Sequence, residues 1–340
     1  MEKKFDNKKL QDIKKKDINL KKCLGNFPLR ISVSDYCNLR CFFCSNEGMP
    51  LNQKNLTHIN LADLKILIKI LSKKGLKKVS ITGGEPTVYP RILDLIDFLN
   101  NFNFKELFFH TNGVNLNSKL FKKLSLKFTK LAISIQSVNL NVWNKITGGN
   151  KEQFRKLMKN IEIASSFKDR ILIELKFVPI KGYNYTEKEI KDFLDLCSKF
   201  GFKFKFLNFE PIKENHIGFS VSIQEIKKKL ISLGCIPLGK EKKFRGQKSY
   251  LPIQPFRYKN CKGVAIEIGC GTPYACRYCY KSNEIFINPK LEIKPCHINP
   301  FVIPLSLFIK QKKENAIFQA IIKSRSFLMG FPGEGKNIWG

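Results

Sequence analysis

The sequence has few histidines, few arginines and no long apolar run, and each shortage excludes a class of protein. Zinc usually closes its tetrahedron with paired C-x2-C units or added histidines, and no histidine lies near the first group of cysteines, Cys37 to Cys44, until His58. No run of about 18 apolar residues occurs, so no transmembrane helix is expected. The lysine-rich, polar N-terminus has no apolar segment and does not resemble a secretory signal. With 43% hydrophobic residues, we expect a globular protein that has no membrane partner.

Positive charge dominates the composition, with 61 basic against 28 acidic residues and a net charge of +33. Such a balance is typical of nucleic-acid binders. However, only nine of the basic residues are arginine, and phosphate and base recognition favours the arginine fork. The sequence is also rich in Asn, Ile and Phe, which indicates a biased genome composition. We therefore do not expect nucleic acid to be the main partner.

Cysteine is abundant, with eleven residues, of which five lie between Cys261 and Cys296. In the absence of a secretory signal this predicts a cytoplasmic protein that keeps its thiols for metal. Cys37, Cys41 and Cys44 have C-x3-C-x2-C spacing and follow a short β-branched run. Three thiolates in one compact loop suit a [4Fe–4S] cluster that leaves one iron open to an outside ligand.

A second metal site is predicted near the C-terminus. Its cysteines are a C-x2-C pair and one later residue, on either side of the hairpin-like segment 284–293, and they are Cys276, Cys279 and Cys296. The candidates for a fourth ligand are Cys270, Cys261 and, less strongly, His297. A second iron–sulfur cluster and zinc are both compatible with this spacing, and the cluster is preferred.

Strands and helices alternate from residue 30 to about residue 232. One predicted helix has Asn60 as its N-cap and Gly75 as its stop. Segment 203–209 alternates lysine and phenylalanine, which predicts a strand with one solvated face. Six βα units in a row predict an α/β fold, a partial TIM-like (βα)6 barrel with a C-terminal extension. We expect a basic flexible arm over 1–26, the barrel over 27–232 and an auxiliary-cluster region over 233–340, in which 235–259 is a connection or lid.

Polar and glycine-rich segments directly follow four of the predicted strands. They are the cysteine loop, Thr82-Gly83-Gly84-Glu85-Pro86, Thr111-Asn112-Gly113 and Ser134. Barrels of this kind carry their chemistry at the carboxyl ends of the strands. We therefore expect a working site at that edge of the sheet.

The cysteine spacing, the aromatic Phe43 before the third cysteine and the Gly-Gly-Glu-Pro segment together resemble the radical S-adenosylmethionine (radical SAM) superfamily. The resemblance implies that SAM binds the open iron of the cluster and is reductively cleaved to a 5′-deoxyadenosyl radical. That radical would abstract hydrogen from a substrate. The resemblance also implies a set of SAM-binding residues at the strand ends: Phe43, Gly83, Gly84, Glu85, Thr111, Asn112 and Ser134.

From about residue 27 onward the chain resembles the GTP 3′,8-cyclase branch of the superfamily, which carries a C-terminal auxiliary cluster. This implies a second [4Fe–4S] cluster on Cys276, Cys279 and Cys296, and Arg30 as a substrate contact. The chain departs from that branch where the cyclase is basic, at Ser80, Glu174, Glu284 and Phe286. Because charge-assisted contacts are the strong ones, these losses predict a substrate less anionic than GTP.

Three functions remain open on this basis. The preferred one is a radical SAM enzyme that acts on a small molecule or peptide, with an electron donor such as ferredoxin or flavodoxin as partner. The second is GTP 3′,8-cyclase activity in molybdenum-cofactor biosynthesis. The third is an RNA-directed modifying enzyme, or a nucleic-acid binder whose cluster is structural.

Overall fold

The computed structural model describes residues 24, 28–44, 56–209, 211, 214–239, 242–243, 252–267, 284–296 and 299–329. Three of the predicted auxiliary ligands and the candidate histidine lie outside the described residues: Cys270, Cys276, Cys279 and His297. The predicted arm, apart from Leu24, lies outside them as well. No helix within the described ranges is long and apolar enough to cross a membrane.

Six parallel strands form the centre of the sheet, and each pairs with the next along the chain. They are β1 (Pro28–Ser32), β2 (Lys78–Thr82), β3 (Glu106–Thr111), β4 (Lys130–Ser134), β5 (Leu172–Phe177) and β6 (Lys203–Leu207). The helices between them are α1 (Leu61–Lys73), α2 (Ile92–Asn100), α3 (Ser118–Lys127), α4 (Leu140–Thr147), α5 (Lys151–Ser165) and α6 (Glu187–Phe200). The predicted alternation is confirmed, except that two helices separate β4 from β5 where the sequence predicts one.

Local side-chain bonds explain where several helices begin. Asn60 caps α1 by accepting from the Asp63 amide at 3.0 Å, as the sequence predicts. Thr186 caps α6 by accepting from the Glu189 amide at 3.2 Å. The Glu189 side chain does not complete a capping box, because it is buried and accepts a hydrogen bond from Ser137. That bond ties the start of α6 to the segment after β4.

Beyond α7 (Ile223–Ser232) the chain adds strands to both edges of the sheet. On one side, β10 (Cys261–Ile266) pairs in parallel with β6 and forms an antiparallel hairpin with β9 (Pro252–Tyr258). The short strands β7 (Ile236–Pro237) and β8 (Lys242–Lys243) pair with β9. Segment 235–259 is therefore partly sheet, and its interpretation as a connection or lid is wrong for the described part. Its prolines suggested turns and loops, whereas Ile253, Phe256 and Tyr258 are buried.

On the other side, β11 (Ile285–Ile287) pairs in parallel with β1. It is followed by the antiparallel strands β12 (Glu292–Ile293) and β13 (Ile303–Pro304), so the predicted hairpin is confirmed. The chain continues into α8 (Ser306–Lys310) and α9 (Glu314–Met329). Among the described strands the sheet is open, running from β13 to β7.

Successive strand residues point to opposite faces of the sheet. The outer face packs against the helices and is fully buried and apolar, with Leu29, Ile31, Val79, Ile81, Leu107, Phe109, Leu131, Ile133, Leu175, Phe204 and Phe206. The inner face carries the alternate residues, which are mostly polar: Arg30, Ser80, Phe108, His110, Lys130, Glu174, Lys176 and Lys205. A polar inner face leaves the concave side of the partial barrel available for a ligand.

Candidate active site

The loop that carries Cys37, Cys41 and Cys44 begins just past the carboxyl end of β1. The Gly84 amide donates to the Ser34 carbonyl at 2.7 Å, and the Glu85 amide donates to the Tyr36 carbonyl at 2.8 Å. A Cβ atom added to Gly84 would collide with the Tyr36 carbonyl. Glycine is therefore required here by the close approach of the cysteine loop.

The other side of the cysteine loop lies against the end of α4. The Arg40 amide donates to the Thr147 carbonyl at 2.7 Å, and the Phe42 amide donates to the Ile146 carbonyl at 3.2 Å. These bonds use carbonyl groups at the helix C-terminus, which have no partner within the helix. The path of the loop is thus fixed by backbone bonds on two sides.

Two residues distant in sequence hold the first half of the loop. The Asn112 side-chain nitrogen lies 2.7 Å from Asn38 Oδ1 and 3.7 Å from Cys37 Sγ. The Gln153 side chain donates to the Asn38 carbonyl at 3.0 Å. The Leu39 amide also points at Cys37 Sγ, at 3.4 Å. Amide donors aimed at a cysteine sulfur stabilise its thiolate, which is the form that binds metal.

The three thiols lie close enough to oppose one another's ionisation. Burial raises the pKa of Cys37 to about 12, with the charges of Glu85 and Cys44 adding to it. Burial, then Cys44 and Cys37, raise the pKa of Cys41 well above its ordinary value. A bound iron–sulfur cluster supplies the positive charge that such a set requires. Within the described ranges, no group of three His, Cys, Asp or Glu side chains could hold a single ion. A cluster, in contrast, distributes its ligands over several irons.

Glu85 is buried, and its carboxylate is already occupied by protein donors. It accepts from Thr87 N (3.0 Å) and Oγ1 (2.7 Å), from Thr111 Oγ1 (2.7 Å) and from Asn112 N (2.6 Å). Burial raises the pKa of Glu85, and these bonds oppose the rise. A carboxylate accepts about four hydrogen bonds. Glu85 with Thr111 therefore joins the end of β2 to the end of β3, and its role in binding SAM stays a prediction.

Aromatic side chains cover the third-cysteine end of the loop. Phe42 contacts Tyr183 at a ring-centroid distance of 5.0 Å and Phe219 at 5.6 Å. Phe43 contacts Phe209 at 6.1 Å. Sequence reasoning identified Phe43 but not its partners, because these follow β5 and β6 and lie more than 100 residues away along the chain. These aromatic side chains exclude water from this side of the loop.

The second cysteine group is described only in part. Cys296 follows β12, which runs antiparallel to β11 and so leads back toward the amino-terminal ends of the central strands. The Asn299 amide points at its sulfur at 3.4 Å. Cys261 lies instead in the buried outer layer, where it donates to the Tyr258 carbonyl at 3.2 Å and neighbours Cys197. Cys261 is a core thiol, and the prediction of it as a fourth ligand is corrected.

The inner face brings together residues that the sequence marked separately. Arg30 forms an ion pair with Glu284 at 3.7 Å and has Ser80 and Phe286 as its register partners on the two neighbouring strands. Across the sheet, Glu174 on β5 lies 3.5 Å from Lys130 Nζ. Ser134 ends β4 on this face.

The Radical SAM superfamily matches residues 31–203, which is just over half of the chain. The chain belongs to the radical SAM superfamily. A GTP 3′,8-cyclase of Alkaliphilus metalliredigens is 28% identical over 276 residues, covering 79% of this chain and 80% of that protein. The molybdenum cofactor biosynthesis protein moc-5 of Caenorhabditis elegans is 32% identical over 199 residues. That match covers 56% of this chain and 32% of moc-5, so the chain spans about a third of its length.

Solved structures share the fold of this radical SAM chain. SuiB of Streptococcus suis bound to S-adenosylmethionine matches with a TM-score of 0.65 at 17% identity, covering 97% of this chain and 75% of SuiB. SuiB bound to the precursor peptide SuiA matches with the same TM-score at 18% identity. At this identity the likeness concerns the fold alone. The predicted α/β partial barrel is confirmed, as is the prediction of a radical SAM enzyme that uses a [4Fe–4S] cluster and SAM.

Proposed function

We propose that this chain reductively cleaves SAM on a cluster held by Cys37, Cys41 and Cys44, and acts on a small-molecule or peptide substrate at the inner face. The observation that carries the proposal is the placement of three cysteines just past the carboxyl end of β1, in a loop that backbone bonds fix on both sides and with amide donors aimed at Cys37 Sγ. When bound, the cluster and SAM supply a 5′-deoxyadenosyl radical that abstracts hydrogen. The protein supplies position and shielding.

The chain's own residues have separate tasks in this proposal. Asn112 and the Leu39 amide stabilise the Cys37 thiolate, and Glu85 fixes the position of Asn112 through its amide. Gly83, Gly84 and Ser134 border the region for SAM, and Phe43 with its aromatic partners excludes water from it. Exclusion of water and of stray hydrogen donors protects a reactive intermediate.

The C-terminal part completes the proposed enzyme. Cys296, with Cys276 and Cys279, would hold a second [4Fe–4S] cluster in region 233–340, which contributes strands to both edges of the barrel of 27–232. A small reductant such as ferredoxin or flavodoxin would supply the electron. We place the enzyme in the cytoplasm, because its eleven cysteines suit a reducing compartment.

Anaerobic reconstitution followed by incubation with SAM and dithionite tests the proposal. Iron and sulfide are counted per chain, and 5′-deoxyadenosine is measured. About eight irons per chain together with SAM cleavage would support both clusters. About four irons together with SAM cleavage would support the SAM cluster and contradict a second one. An intact cluster without cleavage would contradict the proposed function.

Cys37→Ala supplies the matched test of the ligand assignment. It removes one of three ligands, so we expect iron loss at this site and no detectable 5′-deoxyadenosine. Cys235→Ala removes a thiol that is buried elsewhere in the core and is the control. Retention of SAM cleavage by Cys37→Ala would show that this loop does not hold the cluster.

GTP 3′,8-cyclase activity is the second candidate, favoured by the identity to cyclases over most of the chain. The inner face opposes it, because Ser80, Glu174, Glu284 and Phe286 stand where the cyclase branch is basic. A GTP titration of the reconstituted protein decides between them. We expect no saturable GTP binding in the micromolar range. Tight one-to-one binding of GTP would favour the cyclase hypothesis instead.

A further inference from the structure

Three lysines lie on the inner face of adjacent strands. Lys176 on β5 and Lys205 on β6 are register partners, and Lys130 lies on β4. The Glu174 carboxylate lies among them, with Oε1 3.5 Å from Lys130 Nζ. Lys176 Nζ lies 2.8 Å from His110 Nδ1 on β3. The sequence shows these lysines only as the polar positions of alternating strands.

The electrostatics of this group show that its positive charge is not fully compensated. Burial, then the charges of Lys205 and Arg30, lower the pKa of Lys176 to about 7. Burial and Lys176 hold the pKa of His110 well below its ordinary value, so its Nδ1 acts as a neutral acceptor. Burial would raise the pKa of Glu174, but Lys205, Lys130 and Lys176 together keep it low, so this carboxylate is ionised.

One buried polar atom on the same face, Ser80 Oγ, has no hydrogen-bond partner among the described residues, in a residue that is 4% exposed. Buried polar groups are normally satisfied by protein or by water. A hydroxyl left without a partner on a face rich in cations indicates a site that is completed by a polar ligand.

We propose that the inner face of β4–β6 binds a single carboxylate or phosphate of the substrate, through Lys176 and Lys205 with Lys130 beside them. Arg30 and the three lysines face two carboxylates, Glu174 and Glu284. Cations therefore outnumber carboxylates among these described residues, which favours one anionic group at this face. Because Lys176 is the register partner of Ser134, the anion adjoins the region assigned to SAM. This inference rests on the proposed function.

Isothermal titration with inorganic phosphate, acetate and tripolyphosphate tests the proposal on the full chain, reconstituted and loaded with SAM without reductant. About 0.1 M salt screens the exposed lysines. We expect one phosphate or acetate per chain, and binding weakened by roughly tenfold or more in both Lys176→Met and Lys205→Met. Lys159→Met, which removes the same charge from the exposed face of α5, is the control and should bind as the wild type does.

Glu174→Gln guards against loss of binding through misfolding, because it removes the competing negative charge and should tighten phosphate binding. If phosphate binds and acetate binds weakly, the substrate group is a phosphate. If the two bind comparably, the group is a carboxylate. Either outcome supports the site. Absence of saturable binding, equal weakening in Lys159→Met, or tripolyphosphate binding a hundredfold more tightly would overturn it. Displacement of the anion by SAM would show that the lysines hold the cofactor's carboxylate and would also overturn it. Wild-type cleavage of SAM to 5′-deoxyadenosine is measured separately, so a failed site and a failed function are distinguishable.

Discussion

The cysteine loop and the lysine group of the inner face are built in opposite ways. At the cysteine loop, polar groups are matched: Glu85 accepts four hydrogen bonds from protein donors, and the loop backbone bonds to the end of β2 and to α4. On the inner face of β4–β6, Lys176, Lys205 and Lys130 surround the Glu174 carboxylate, and Ser80 Oγ on the same face has no described hydrogen-bond partner. The first region is prepared in advance, whereas the second is complete only with a ligand.

This difference teaches where stability and function oppose each other. Satisfied polar networks rigidify a site, and partly satisfied ones destabilise the folded state. The cysteine loop must hold three thiols in one arrangement, so it gains from rigidity. The lysine group retains an unfavourable charge balance, as expected where a ligand supplies the missing charge. Substitutions in the two regions should therefore change stability in opposite directions.

Lys176→Met should give the largest change and should stabilise the protein. A lysine whose pKa falls to about 7 is unfavourable in its charged form by at most roughly 4 to 5 kcal/mol near neutral pH. The folded-state pKa lies below the unfolded one, so wild-type stability rises as the pH increases from about 7 toward 10. Denaturant unfolding near both ends of that range measures the free energy. The gap between variant and wild type should narrow at high pH.

The control for this prediction is Lys159→Met on the exposed face of α5, which should leave stability within about 0.5 kcal/mol. A destabilised Lys176→Met, or a gap that does not change with pH, would show that the lysine group is already compensated.

Gly84→Ala should destabilise the cysteine loop by about 3 kcal/mol or more. The new Cβ would meet the Tyr36 carbonyl, and displaced backbone is costly in a packed region. We expect lower iron content and loss of SAM cleavage after reconstitution. Gly218→Ala is the matched control, because nothing lies within 4 Å of the Cβ position there. Normal iron content in Gly84→Ala would mean that the loop tolerates a shift away from β2.

Asn112→Ala should give the smallest of the three changes, lowering the free energy of unfolding by about 1 to 2 kcal/mol. It removes the donor to Cys37 Sγ and to Asn38 Oδ1 while leaving the ligands in place. We expect faster loss of iron to a chelator and a more negative cluster potential, since donors to sulfur raise the potential. Asn101→Ala removes a surface side-chain bond to the Asp97 carbonyl and is the control. An unchanged potential would limit Asn112 to loop packing.

Short-range patterns predicted the cysteine-loop end well. The C-x3-C-x2-C spacing, the Gly-Gly-Glu-Pro turn and the helix cap at Asn60 all depend on residues within one or two turns of chain. The tasks of individual residues were less predictable. Glu85 was expected to bind SAM, and the local pattern did not indicate that it also accepts hydrogen bonds from Thr87, Thr111 and Asn112. Thr111 and Asn112 come from β3 and its end, more than 20 residues away.

The sequence by itself determined the alternation of strands and helices, the parallel sheet and the thiols available for a cluster, because these follow from periodicity and local spacing. Tertiary structure alone decided that β10 and β11 extend opposite edges of the sheet, and that Cys261 lies in the outer core. It also decided that Lys130, Lys176 and Lys205 meet on one inner face. Register between strands distant in sequence sets which charges become neighbours, and burial in that face sets how strongly they interact.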